Sequence, residues 1–213
     1  MIVDERMVTY INSLDKGNTS FLNALEKEAL ANYVPLIRRE MQSFLKVLLQ
    51  IKAPLRILEV GTAVGFSTIL MSTYAPKECQ IVTIENYEKR IPIAKENFRK
   101  AGKEKQIQLL EGDAKEVLKT LSEPFDFIFM DAAKGQYINF LPDVLRLLKT
   151  GGILLSDNVL QDGDIIESHF AVERRNRTIY KRMRQYLYVL KNHESLETSI
   201  LPLGDGVTLS IKK

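Results

Sequence analysis

Apolar residues recur along this chain in two rhythms. Up to residue 50 the spacing is helical: Val8, Ile11 and Leu14, then Phe21, Leu22 and Leu25, then Phe44, Leu45, Leu48 and Leu49. Gly17-Asn18-Thr19 separates the first group from the second and Pro35 is placed to open the third, so three helices are expected before residue 51. From residue 57 short apolar runs take over, at 57–60, 81–84, 107–110, 125–130 and 153–156. Helical spacing returns between them, after Gly65 and over 90–101, 115–121 and 138–148, and Gly151-Gly152 reads as the turn into the fifth run. Runs this uniformly apolar, alternating with helices, describe a parallel sheet buried on both faces. The tail breaks the alternation. After a long helix ending near Leu190, the β-like runs 198–202 and 207–211 are joined by Leu203-Gly204-Asp205-Gly206, a hairpin placed to close the sheet with an antiparallel strand.

The expected fold is α/β and Rossmann-like: a mostly parallel seven-stranded sheet with a C-terminal antiparallel hairpin and added N-terminal helices. One domain is expected over 1–213, with a helical extension at 1–50 and a core at 55–213. A content of 45% hydrophobic and 27% charged residues suits a core of that size. No run approaches the ~18 apolar residues that span a bilayer, and the acidic, interrupted start does not read as a signal peptide, so a cytoplasmic protein without membrane contact is expected. The single Cys79 excludes an internal disulfide and a cysteine-rich zinc site. His169 and His193 lack metal-ligand spacing and read as structural or surface residues.

Candidate chemistry gathers where the strands end. Ile57, Leu58 and Val60 lead into Gly61, and helical spacing resumes after Gly65. Glycines in such a turn let backbone approach a ligand, and the new helix presents unpaired N–H groups there. The spacing is E-x-G-x-x-x-G, Glu59 to Gly65, and not the G-x-G-x-x-G that cradles a dinucleotide pyrophosphate. Glu59 suits a ligand with a positive group, such as the amino and sulfonium groups of S-adenosylmethionine (SAM). An ordinary tight turn reads equally well from these residues alone.

Polar residues close the other runs too: Glu85, Asp113, Asp131, Asp157 and Asn158, in the crevice where open α/β sheets bind ligands. Glu85 can accept bonds from both hydroxyls of a ribose. Asp113 and Ala114 stand where an adenine ring can be held, although Asp113 also fits a helix N-cap. Asp131, Asp157 and Asn158 offer three oxygens of the kind Mg²⁺ takes. Lys134 is either a solvated loop lysine or, beside a cation and a sulfonium, an amine able to take a proton from a hydroxyl.

Together E-V-G-T-A-V-G-F-S, D-A-A-K-G-Q-Y, S-D-N-V-L and P-L-G-D-G-V-T-L-S resemble the class I SAM-dependent methyltransferases. More narrowly, they resemble the cation-dependent O-methyltransferases that include the catechol and caffeoyl-CoA enzymes. The resemblance covers nearly the whole chain. It implies cofactor contacts at Ile37, Glu59, Gly61, Ser67, Glu85, Ala114 and Asp131, and Mg²⁺ or another divalent cation on Asp131, Asp157 and Asn158. It also implies Lys134 as the base beside Asp131, and a homodimer through the N-terminal helices. Many relatives carry a second aspartate where Ala133 stands, a departure that leaves the metal set intact and bears on substrate choice.

Charge bears on the substrate as well. The net is only +3, yet 174–184 holds six basic side chains, Arg174, Arg175, Arg177, Lys181, Arg182 and Arg184, and no acid. Stepping about 100° per residue from Arg174 puts Arg174, Arg177, Lys181 and Arg184 in one sector of about 80°, with Val172, Ile179, Met183 and Leu190 opposite. Such a ridge is commonly a solvated face and nothing more. Near the Asp157-Asn158 pair it also suits a phosphate backbone. With D-A-A-K-G-Q-Y and the G-D-G-V-T-L-S-I-K-K ending, it is similar to the bacterial tRNA methyltransferases that make 5-methoxyuridine from 5-hydroxyuridine at the first anticodon base. That similarity implies a tRNA anticodon loop as partner, with a catechol-type small phenol as the alternative substrate. An NAD-dependent oxidoreductase and a nucleic-acid module without catalysis fit these motifs less well.

Overall fold

The computed structural model describes residues 3–213. Its strands are β1 (Arg56–Val60), β2 (Gln80–Glu85), β3 (Ile107–Glu111), β4 (Phe125–Met130), β5 (Leu148–Ser156), β6 (Leu196–Leu201) and β7 (Val207–Lys212). They form one sheet in the order β3-β2-β1-β4-β5-β7-β6. β1 to β5 pair in parallel, and β7 runs antiparallel to both β5 and β6. The mostly parallel sheet with a closing antiparallel hairpin is thus the architecture found.

Alternation along the strands explains the layers. Ile57, Phe127 and Phe129 face one side of the sheet and Leu58, Val60, Ile128 and Met130 the other, all buried. On the first side pack α2 (Ser20–Ala31), α3 (Arg39–Lys52), α4 (Phe66–Tyr74) and α5 (Ile91–Lys100). On the second pack α6 (Ala114–Thr120), α7 (Tyr137–Leu147) and α8 (Arg177–Asn192). α1 (Glu5–Ser13) is capped by Asp4, which accepts from the N–H groups of Arg6 and Met7, but buries none of its residues. No helix among the described residues is long and apolar enough to cross a membrane.

Three boundaries differ from the sequence reading. The third helix begins at Arg39, not Pro35, because 35–38 stays extended and puts Ile37 into the core. Gly151-Gly152 lies inside β5, where Gly151 at φ +71° takes up a register shift opposite Phe125 and Phe127. Arg174–Asn176 is a separate 3-10 turn, so angular stepping at a helical 100° does not carry from Arg174 into α8. The buried face of that helix is Tyr180, Met183, Tyr186 and Leu190.

Strand order reverses between β1 and β4. Their carboxyl ends, with those of β2 and β5, flank the crevice where such sheets bind ligands.

Candidate active site

A cavity of about 760 Å³ opens in that crevice. Its wall takes Gly61 and Ala63 from the turn after β1, Glu85 and Tyr87 after β2, Asp113 and Ala114 after β3, Asp131 and Lys134 after β4, and Asn158 after β5. Ile37 and Leu36 cover it from the extended segment ahead of α3. The turn reaches so close to β4 that a Cβ on Gly61, at φ +103°, would run into the Asp131 carbonyl.

Glu85 is fixed in the wall by three backbone N–H groups. Oε2 accepts from Ala63 at 2.7 Å, and Oε1 accepts from Asn86 and Tyr87, each at 2.9 Å. Oε2 keeps a lone pair for a ligand hydroxyl. Asp113 is the N-cap of α6, its Oδ1 accepting the Lys115 N–H at 2.8 Å, and it also lines the cavity. Ala114 and Ser67 line it as well.

Glu59 lies elsewhere. It is fully buried beneath the turn and outside the cavity wall, accepting from Ser67 Oγ at 2.6 Å, Thr83 Oγ1 at 2.6 Å and Thr68 Oγ1. Burial pushes its pKa up to about 7 against the downward pull of those three hydroxyls. Its carboxylate fastens the first turn of α4 to β1 and β2.

The acids after β4 and β5 converge. Asn158 Nδ2 donates to Asp131 Oδ1 at 3.1 Å, and Asp157 Oδ1 accepts the Asn158 N–H at 2.7 Å. Asn158 takes the left-handed conformation, φ +62°, that asparagine tolerates better than most residues. Tyr137, which sequence reasoning passed over, is fully buried, and its hydroxyl is 3.1 Å from the carbonyls of both Met130 and Asp157, pinning the two strand ends together.

Burial raises the pKa of both acids, opposed at Asp131 by Lys134 and reinforced at Asp157 by the Asp131 charge. A divalent cation fits this donor set. Two carboxylates and an amide are hard oxygen ligands, and a positive charge offsets the cost of burying both acids. Among the described residues no group of three or more His, Cys, Asp or Glu could hold a metal, so a cation here would need the Asn158 amide oxygen beside the two carboxylates.

Lys134 reaches a partner absent from the sequence reading. Its Nζ donates to Asp205 Oδ2 at 2.8 Å, and Asp205 is almost fully buried in the turn between β6 and β7. The glycines flanking Asp205 were its only signal.

The basic segment is partly committed to the fold. Arg182 donates to the Gly135 carbonyl at 3.0 Å, Arg184 to Ile165 at 3.2 Å, and Arg177 to Val172 at 3.1 Å and Phe170 at 3.3 Å. Arg175 pairs with Glu173. Arg174 and Lys181 are exposed.

Known proteins resemble this chain in sequence and fold. A family model described as O-methyltransferase matches residues 12–213. A catechol O-methyltransferase of Niastella koreensis is 32% identical over 179 residues, covering 80% of this chain and 79% of that protein. A Staphylococcus aureus structure, provisionally described as a caffeoyl-CoA O-methyltransferase, superposes with a TM-score of 0.90 at 30% identity over 99% of this chain and 100% of that one. A Bacillus cereus O-methyltransferase in complex with S-adenosylhomocysteine (SAH) superposes at 0.85 with 25% identity, over 96% of each chain. With a match across nearly its whole length, the chain belongs to the O-methyltransferase family and is a SAM-dependent enzyme.

Proposed function

We propose that the enzyme methylates one hydroxyl of a vicinal oxygen pair, with Lys134 as base and a divalent cation on Asp131, Asp157 and Asn158. The observation that carries this reading is that Asp131, Lys134 and the Asn158 amide meet along one wall of the cavity, with the buried Asp157 next to Asn158 in the chain. A cation held there would supply Lewis-acid charge that makes a neighbouring hydroxyl more acidic. Lys134 takes the hydroxyl proton onto Nζ. The oxygen then attacks the donor methyl in line: an O–C bond forms, the S–C bond breaks, and SAH leaves. Glu85 would hold the ribose hydroxyls, Asp113 and the Ala114 N–H the adenine, and Ile37 would cover the donor. Alignment of two reactants in this way supplies roughly 7–11 kcal/mol of the acceleration.

The substrate supported by the relatives is a catechol-type small phenol, since the Niastella protein is named for catechol. A second reading, 5-hydroxyuridine at the wobble position of tRNA, is supported by the surface. Arg174 and Lys181 are exposed and form no hydrogen bond or ion pair with protein groups among the described residues, which leaves both for phosphates. The 5-hydroxyl and 4-carbonyl of that base offer the same oxygen pair as a catechol.

Substituting both, Arg174→Ala and Lys181→Ala, separates the two, because it spares the arginines that hold backbone carbonyls. Methyl transfer is measured on free catechol and on an anticodon stem-loop carrying 5-hydroxyuridine. The tRNA reading predicts that RNA methylation falls at least about tenfold and becomes less sensitive to salt. The phenol reading predicts catechol turnover indifferent to the substitutions and no transfer to RNA. Failure of the wild-type enzyme on both substrates removes the vicinal-oxygen proposal.

A further inference from the structure

The turn between β6 and β7 comes back to the catalytic wall. Gly204 and Gly206, at φ +58° and +87°, turn the chain sharply on either side of Asp205, and a Cβ on Gly206 would collide with Leu160. The turn is laced to the segment that follows Asp157-Asn158: the Val159 N–H donates to the Gly206 carbonyl at 2.9 Å and the Leu160 N–H to the Asp205 carbonyl at 3.0 Å. The Asp205 carboxylate is divided between two tasks. Oδ2 accepts from Lys134 Nζ, and Oδ1 accepts the N–H of Asp162. The side chain of Asp205 is 6% exposed and that of Lys134 35%.

We propose that Asp205 is a positioning residue for methyl transfer, acting through Lys134; this rests on the reading of Lys134 as the base. A neutral lysine amine, the form that can act as a base, carries two N–H donors beside its lone pair, and on a flexible four-carbon stem it has no preferred direction. A buried carboxylate that takes one of them fixes where the nitrogen stands, and Asp205 is itself held still because its second oxygen is bound to backbone. Lys134 has no other hydrogen-bond partner among the described residues. One carboxylate therefore sets the base in register with the loop that follows Asp157-Asn158.

The division of the carboxylate dictates the test. Asparagine has the same shape but a single acceptor oxygen. Asp205→Asn must give up either Lys134 or the Asp162 N–H, and its amide nitrogen then faces another donor. The expected result is a kcat at least tenfold lower on whichever of free catechol and 5-hydroxyuridine RNA the wild type methylates, with KM and SAH affinity within threefold of wild type. Asp205→Ser, uncharged and with one oxygen too short in reach to serve both Lys134 and the Asp162 N–H, serves if the asparagine variant does not fold, with the same expectation.

A double-mutant cycle with Lys134→Ala separates positioning from scaffolding. If Asp205 acts through Lys134, Asp205→Asn costs less than twofold once Lys134 is gone. Equal losses in both backgrounds, or an Asp205→Asn enzyme within twofold of wild type, overturn the proposal. Full turnover by Lys134→Ala instead overturns the base assignment and the positioning role with it, whereas an inactive Lys134→Ala beside a fully active Asp205→Asn removes only the latter.

Discussion

Glu59 is an acid sealed from water, and the pH dependence of stability is where that shows. Its pKa rises from the usual 4.5 to about 7, chiefly by burial. Folded protein therefore holds a proton that unfolded chain releases. The stability contributed by protonated Glu59 is fully present below about 4.5 and is lost as pH rises through about 7. A shift of this size corresponds to something on the order of 3 kcal/mol. Glu59→Gln removes that dependence. Thermal unfolding followed from pH 5 to 8 is expected to show wild type losing stability more steeply than the variant; Asp131 and Asp157 titrate in both proteins, so the difference between the curves isolates Glu59. Parallel curves contradict the assignment. The sequence marked Glu59 as the acid beside the glycine turn, but not its surroundings. Ser67 and Thr68 lie eight and nine residues away on α4, and Thr83 comes from β2, a neighbour only once the sheet is formed.

The turn from β1 into α4 is the element on which the cavity depends. Gly61 combines a left-handed backbone with a carbonyl directly in the path of any side chain, whereas Gly102, also at positive φ, has open space around it. Gly61→Ala is expected to destabilise the protein by about 1–3 kcal/mol and to weaken SAH binding, because Asp131 has to move. Calorimetric titration and thermal unfolding of the variant check both; unchanged SAH affinity contradicts the close approach. Strand runs and this turn were legible because apolar continuity and glycine spacing are local properties. The start of α3 was not, since a proline sets only its own φ and the pull of Ile37 toward the cavity is tertiary. The cationic ridge was misdrawn for a local reason: a 3-10 turn carries Arg174, and three of the six cations cap backbone carbonyls that sequence does not locate.

Across the whole chain, the sheet order does what no single motif can. Five strands deliver their carboxyl ends to one rim, and the last hairpin returns Asp205 to Lys134 across seventy-one residues. Residue types at strand ends made Asp131, Lys134, Asp157 and Asn158 readable as a group, because a parallel sheet gathers those ends whatever lies between. Asp205 was invisible by the same logic: it sits in a hairpin turn, where an aspartate between glycines already has a local explanation. Methyl transfer is expected to need a cation held by the gathered oxygens. SAH release with catechol or 5-hydroxyuridine RNA, measured before and after EDTA and again after adding Mg²⁺, tests this most directly. Turnover should vanish with the chelator and return with the metal in wild type, and should not return in Asp157→Ala. Turnover that persists undiminished in EDTA contradicts it.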